Sequence, residues 1–425
     1  MLFSRKAAAL ADMAASAPPT LCGFSAGVDA YVPLADAVPL WQEDAPSAAR
    51  RIGDEVLRRG RHGIGGEIAV DWPEGDAWLG AHLPHRHGLG GTAAQIAAAL
   101  ATLGAPAVLA LEDRSQRQLE VIPNGVAFVT SDGRLRHTQM VEPTPRGRAR
   151  NWIFEYTKDR PIRGIAPPRS SRVIVRLADR PLHDDPAFDG SSAMLGAGAA
   201  VLAGFPSVPP AQLPAAIERA AKLGRRWRAA GTATVHVELA DYGDRQVAVE
   251  AVMTGLTGVA TSLGASLSEF DRYIRRPGSL AERAVAVARH MDLDRVAIHA
   301  DEWAFAVTRH DAAAEREALI CGCLLASARA AAGHIVQPVG PPEGAIFHAL
   351  PDFGPPPSGW HVVACAAPYL PRPVSTIGLG DTFVAGCLLA LGASINQPSF
   401  QKSSFQELFD DSGSRTTPRS ECLAG

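Results

Sequence analysis

Short β-branched runs alternate with Ala-rich amphipathic segments along most of this chain, and that alternation leaves few architectures open. Apolar runs ending in small or acidic residues lie at Ala107–Leu111, Val173–Leu177, Ala200–Ala203, Thr234–Leu239, Val296–His299 and His361–Ala364. Between several of them, as in Leu213–Ala229 and Ala281–His290, apolar residues recur at three- and four-residue spacing, which is the mark of a helix with one buried face. Strand and helix repeated in this order predict an α/β fold: a doubly wound, mainly parallel sheet flanked by helices on both faces.

Two stretches break the rhythm. Tyr31–Leu89 is richer in Pro, Gly, Trp and His, while Glu120–Tyr156 alternates like strands around a tight turn. Within the second, Gly125–Thr130 and Leu135–Val141 flank Ser131-Asp132-Gly133, and Asp-Gly supplies the positive φ that a short hairpin needs. We expect residues 31–89 and 120–165 to form a small β-rich lid on a core made of 1–30, 90–119 and 166–395. A lid on an α/β body implies a cleft that closes and excludes water. Asn396–Gly425, rich in Ser, Gln, Thr and Arg, reads as a loose tail.

Composition narrows the function classes. Of 425 residues, 47% are hydrophobic and the net charge is −3, so neither nucleic acid nor an anionic membrane is an expected partner. The six cysteines, at 22, 321, 323, 365, 387 and 422, show no zinc spacing and read as reduced thiols. The opening Ala-rich stretch is too weakly apolar for a signal peptide, and no apolar run reaches membrane-spanning length. A cytoplasmic enzyme, monomeric or a small homo-oligomer, is the expectation.

The sharpest element is Pro373-Val374-Ser375-Thr376-Ile377-Gly378-Leu379-Gly380-Asp381-Thr382, followed by small residues. Glycines before a helix let successive backbone N–H groups point at one spot. The helix N-terminus adds partial positive charge there, making an anion hole suited to a phosphoryl group in transfer. An aspartate at a helix start can also be a plain N-cap.

This segment resembles the signature of the ADP-dependent glucokinase/phosphofructokinase family, within the ribokinase-like superfamily. The resemblance implies that Asp381 is the catalytic base for a sugar hydroxyl, that Gly378, Leu379 and Gly380 supply the anion hole, and that ADP is the phosphoryl donor. His236-Val237-Glu238 is similar to the family's His-x-Glu motif, and Glu269 falls where the family carries Asn-x-x-Glu, with Ser266 at the Asn position. Glu238 and Glu269 are thereby implied to hold Mg2+, a hard cation that favours oxygen ligands.

On the acceptor side, Gly90-Gly91-Thr92-Ala93-Ala94-Gln95 resembles the Gly-Gly-x-x-x-Asn sugar-binding element, with Gln95 in place of Asn. Cys22–Ala30 resembles the family's first strand, so Asp29 is implied at its end, gripping sugar hydroxyls. Pro145–Ile153 resembles the Arg-x-Asn-Arg segment, making Arg148 the candidate for donor phosphates. His299 and Val339 fall at nucleotide-side positions. Glu67, in Gly65-Gly66-Glu67, is expected to project from the lid and to favour an uncharged sugar over fructose 6-phosphate by like-charge repulsion. The implied partners are a small-molecule sugar and ADP. Two further readings stay open here: an ATP-dependent ribokinase-type carbohydrate or nucleoside kinase, and a homologue that binds sugar or nucleotide with impaired catalysis.

Overall fold

The structure is a computed structural model describing residues 2–145, 147–158, 160–394 and 409. The segment expected to be a loose tail lies, apart from Phe409, outside the described residues, as does Cys422. β1 (Thr20–Gly23) starts a main sheet, and the chain then crosses to a second sheet for β2 (Gly27–Pro33), β3 (Gly66–Ala69) and β4 (Arg86–Gly90). It returns to the main sheet for β5 (Ala107–Leu109), β6 (Val126–Val129) and β7 (Leu135–His137). β8 (Asn151–Tyr156) and β9 (Ser171–Arg176) complete the second sheet. The main sheet ends with β10 (Ala199–Leu202), β11 (Thr234–Leu239), β12 (Ser262–Ser266), β13 (Arg295–His299), β14 (Trp303–Thr308) and β15 (His361–Ala366).

The main sheet has the order β15-β14-β13-β12-β11-β10-β1-β5-β6-β7, parallel from β13 across to β6 and antiparallel towards both edges. Its strands are apolar on both sides because helices cover both faces. Along β10, Ala199 and Val201 pack into one cluster with Leu10, Leu324 and Leu388, while Ala200 and Leu202 pack into the other with Trp227, Val252 and Val285. β1 lies between β5 and β10, where the winding reverses direction. Ligands in open α/β sheets bind at such a switch point, beyond the carboxyl ends of the strands.

The second sheet, ordered β3-β9-β8-β2-β4, is one-sided. Ala30, Val32, Trp152, Phe154, Val173 and Val175 pack under the helix Ser47–His62, together with Ile52 and Val56. The intervening residues face the other way, and Tyr31, Ile153 and Ile174 meet Ile377 of the main body. Strand pleating thus sends a mixed polar face into the space between the sheets.

Four strands sit elsewhere than the sequence division suggests. Asp29 is on β2 of the second sheet, not at the end of the first strand, because β1 stops at Gly23 and the chain turns before Gly27. The Asp132-Gly133 hairpin does form, with Gly133 at φ 78°, but β6 and β7 extend the main sheet beside β5. Their apolar side chains Val126 and Phe128 find the large core there. β9, expected in the core, pairs with β8 and β3 in the second sheet.

The opening residues form a helix, Leu2–Ser16, that buries Ala7, Leu10 and Ala14. No helix among the described residues is long and apolar enough to cross a membrane. The described cysteines are free thiols.

At the amino end of β13 lies an ion pair almost out of reach of water. Arg295 Nε donates to Glu315 at 2.9 and 3.0 Å, with side chains 3% and 1% exposed. Removing one member of such a pair strands the other charge. Glu315→Ala is therefore expected to destabilise the fold by about 3 to 5 kcal/mol, measured by urea unfolding at neutral pH.

Candidate active site

The helix Leu379–Ala393 begins at Gly378, whose φ of 65° is left-handed. Leu379, Gly380 and Asp381 occupy its first turn, where backbone N–H groups have no intrahelical acceptor and the helix dipole is positive. The Asp381 side chain opens, with Gly378 and Ile377, onto a cavity of about 180 Å³ between the two sheets. Burial raises its carboxyl above the ordinary range, and Glu238 adds to that rise. Arg329 and a hydrogen bond from Thr92 oppose it.

The second sheet supplies the opposite wall. Asp29 is 7% exposed; Asn151 Nδ2 donates to its Oδ1 at 3.0 Å and the Tyr31 hydroxyl to its Oδ2 at 3.5 Å. Burial, and then the charges of Glu67 and Asp381, push this carboxyl up to about 7 against the Asn151 bond. β4 runs beside β2, and a Cβ at Gly90 would lie 2.1 Å from Asp29 Oδ1, so only glycine leaves room for the carboxylate. Gly91, at φ 90°, turns the chain into the helix Thr92–Thr102. Gln95 lines the cavity from that helix, but its amide is engaged at both ends: Nε2 donates to the Leu89 carbonyl and Oε1 accepts from Arg329. One N–H and one acceptor site of this amide thus serve internal partners, while Gln95 still lines the cavity.

Glu67, on β3, faces the cavity as expected, yet it does not act as an uncompensated charge. Arg176 Nε lies 3.0 Å from its Oε2. Arg172 and Arg180 line the same cavity, and among the described residues neither has a carboxylate partner. Arg148 also reaches the cavity, pinned by bonds to Glu112 Oε2 at 2.6 Å and the Pro181 carbonyl at 3.1 Å. Cationic side chains outnumber carboxylates on this wall. The expectation that Glu67 would repel a sugar phosphate is corrected accordingly.

Beyond Asp381, towards the carboxyl ends of β11 to β13, sit the remaining acidic candidates. Glu238 Oε2 accepts from His236 Nε2 at 2.9 Å, and Oε1 is 3.7 Å from His299 Nε2. Burial works against its ionisation, but His236 and His299 outweigh burial and hold the carboxyl at about 2. Arg295 can only donate, and it gives Nη1–H to the Ser262 hydroxyl at 3.1 Å. Ser262 then donates to His236 Nδ1 at 2.8 Å, leaving Nε2 as the protonated nitrogen that holds Glu238. Glu269 sits in a capping box: Ser266 Oγ and N–H both donate to its Oε2, at 2.6 and 2.8 Å. Burial, with the charge of Glu238, lifts Glu269 to about 7. The ionised Glu238 thus disfavours ionisation of Glu269, and carboxylate oxygens of this kind are the ligand type a hard cation takes. Among the described residues no group of three or more His, Cys, Asp or Glu side chains could hold a metal ion.

His299 lies at the same corner. Its Nε2 faces Glu238 at 3.7 Å and among the described residues is buried without a hydrogen-bond partner within bonding distance, and a Cβ at Gly380 would come within 3.0 Å of its ring. Val339 is different: it is 95% exposed and lies on an irregular loop outside the cavity, so the structure does not bring it to the site.

A family model, the ADP-specific phosphofructokinase/glucokinase conserved region, matches residues 52–279. The chain belongs to that family. Its members are ADP-dependent sugar kinases, phosphotransferases with an alcohol group as acceptor. No curated protein matches the sequence. Among solved structures, an ADP-dependent kinase in complex with fructose 6-phosphate and ADPβS superposes with a TM-score of 0.74 at 17% identity, over 93% of this chain and 98% of that one. The last common ancestor of ADP-dependent phosphofructokinases from Methanosarcinales gives 0.69 at 17% identity, over 93% and 98%. Adenosine kinase from Sinorhizobium meliloti gives 0.51 at 15%, over 89% and 88%. At these identities the likeness shows the fold, which is ribokinase-like.

Sequence reasoning on this kinase missed several cavity residues. Arg172, Ile174 and Arg176 alternate with Val173 and Val175 along β9, so the pleat pattern carried the signal that two arginines share the inward face. Asn151 stood in the quoted Arg-rich segment without a role. Arg329 had only the faint signal of a lone charge in an Ala-rich helix end.

Because the folded-state value for Asp29 lies above its ordinary 3.8, its contribution to stability is complete below that pH and is lost as pH rises through about 7. Asp29→Asn removes this loss. The stability of the variant relative to wild type is expected to grow between pH 4 and pH 8 by about 4 kcal/mol, read from urea unfolding at both pH values.

Proposed function

We propose that this kinase transfers the β-phosphoryl group of ADP to a hexose phosphate of the fructose 6-phosphate class, with Asp381 as general base and Mg2+ as the assisting ion. The observation that carries the reading is one shared cavity. The Asp381 carboxylate beside a glycine-bounded helix start faces a wall bearing Asp29 and arginines 172 and 180, which among the described residues have no carboxylate partner.

Phosphoryl transfer asks chiefly for positioning and charge stabilisation. Asp29, held by Asn151, orients the acceptor hydroxyls through its carboxylate oxygens. Asp381 takes the proton of the attacking hydroxyl, and burial keeps it a better base than a solvated carboxylate. The amides of Leu379, Gly380 and Asp381 face the charge that develops on the transferred group. Arg172 and Arg180 hold the phosphate already present on the acceptor, a task that suits the guanidinium fork. Arg176 neutralises Glu67, so that carboxylate does not repel the phosphate. His299 offers a nitrogen towards the donor phosphates from beside Gly380, and Arg148 stands at the cavity wall. Glu238 and Glu269 would hold Mg2+, whose charge would neutralise the phosphates of ADP when bound.

The test is AMP formation from ADP across fructose 6-phosphate, glucose and nucleosides, with ATP in parallel. Fructose 6-phosphate with ADP is expected to give the highest kcat/KM; preference for ATP, or for an uncharged acceptor, would overturn the assignment. Asp381→Asn should lose at least about a thousandfold in kcat with acceptor binding kept. Arg172→Ala should raise the KM for the sugar phosphate by about tenfold to a hundredfold while leaving the weaker turnover of glucose unchanged.

A further inference from the structure

Arg329 lies at the end of the helix Ala312–Ala332, 7% exposed, and among the described residues it has no carboxylate partner. Its Nη1 instead serves three neutral oxygens: Gln95 Oε1 at 2.9 Å, Thr382 Oγ1 at 2.9 Å and the Gly378 carbonyl at 3.1 Å. Among the described residues Nε is buried without a hydrogen-bond partner. Burial disfavours this guanidinium, its hydrogen bonds go to neutral acceptors, and the charge that most offsets the burial is the nearby Asp381 carboxylate, so its placement is tied to the turn that carries Asp381.

The position of these oxygens is informative. A Cβ at residue 378 would fall 2.5 Å from both terminal nitrogens, so the guanidinium occupies the room that glycine leaves at the helix start. The Gly378 carbonyl is drawn towards Arg329, which orients the turn whose following amides face the cavity. The other arm ends on Gln95, whose Nε2 holds the Leu89 carbonyl on β4, one residue before the glycine that accommodates Asp29. A continuous set of hydrogen bonds therefore runs from the strand beside Asp29, through Gln95 and Arg329, to the turn that carries Asp381. Asparagine, one methylene shorter, cannot span Leu89 and Arg329 together.

We propose that Arg329 and Gln95 act as a positioning pair, fixing the anion-hole turn relative to the acceptor wall; the idea rests on the function proposed above. Neither touches the reacting atoms. Their effect is to keep the Asp381 turn in register with the acceptor, where an error of about 1 Å can cost a hundredfold in rate.

Arg329→Met, Gln95→Asn and the double variant test it, each with thermal unfolding as a check on folding. Arg329→Met is expected to lower kcat about a hundredfold and Gln95→Asn about tenfold, with acceptor KM within about threefold of wild type. The double variant should be no slower than Arg329→Met, because both changes break one chain of contacts. Calorimetric affinity for ADP alone, which needs no turnover, should weaken in both single variants. A folded variant with wild-type kcat and ADP affinity, or losses that multiply in the double variant, would overturn the pairing. Should Arg329→Met not fold, Gln95→Asn decides: wild-type kcat in that variant sinks the proposal. A wild type that forms AMP while the variants match it refutes this pairing only, whereas a wild type that neither binds ADP nor forms AMP removes the parent reading and the pairing with it.

Discussion

Charge held out of water, and the cations that make it tolerable, organise this molecule. Asp29, Glu67 and Asp381 look onto one cavity, and each has its carboxyl raised by burial. Left alone, such a group would protonate and lose its value as a base or a hydroxyl grip. The surrounding cations and donors offset that tendency: Arg176 at Glu67, Arg329 acting on Asp381, and the His236 N–H with His299 at Glu238. Among the described residues Asp29 has Asn151 and Tyr31 as hydrogen-bond partners, and burial still pushes its carboxyl up to about 7.

The two sheets divide the work of supplying these groups. The main sheet is apolar on both faces, so its chemistry is confined to strand ends and helix starts, and Glu238, His299 and Asp381 all lie at such termini. The second sheet has one covered face, so pleating alone brings every second residue to the cleft. Glu67, Asp29, Asn151, Arg172 and Arg176 come from four different strands in this way. A cleft built from strand termini on one side and a strand face on the other can change acceptor preference through the second sheet without disturbing the Asp381 turn.

Much of this was legible in the chain. The glycine-bounded Asp381 and the strand-end Glu238 are local patterns, whereas Glu269 entered through a family resemblance and its capping box with Ser266 emerged only in the fold. The sheet to which a strand belongs is not local. Asp29 follows β1 by a few residues, and no propensity marks the chain's crossing to the other sheet between Gly23 and Gly27. The hairpin at Asp132-Gly133 announced its turn but not its neighbour, because pairing with β5 is decided by where Val126 and Phe128 can be buried. Val339 was placed from its position in the order of motifs, and an irregular loop can carry such a residue anywhere on the surface.

Glu67 shows how a location can be legible while its electrostatics is not. Its sequence context put a carboxylate at the cleft, and it is there; the charge argument built on it left out Arg176, because electrostatics depends on neighbours and not on a residue's own sign alone. β9 lies beside β3 with its pleat in phase, so Ile174 is paired with Glu67 and the inward arginines flank that position on the same strand. Arg176 closes onto the carboxylate, while Arg172 remains without a carboxylate partner among the described residues. One buried acid compensated in this way leaves surplus positive charge on the wall. An anion entering the cavity would replace solvent as the partner of that charge, whereas a neutral sugar would leave the guanidinium groups desolvated and only partly paired. That asymmetry favours an acceptor already carrying a phosphate.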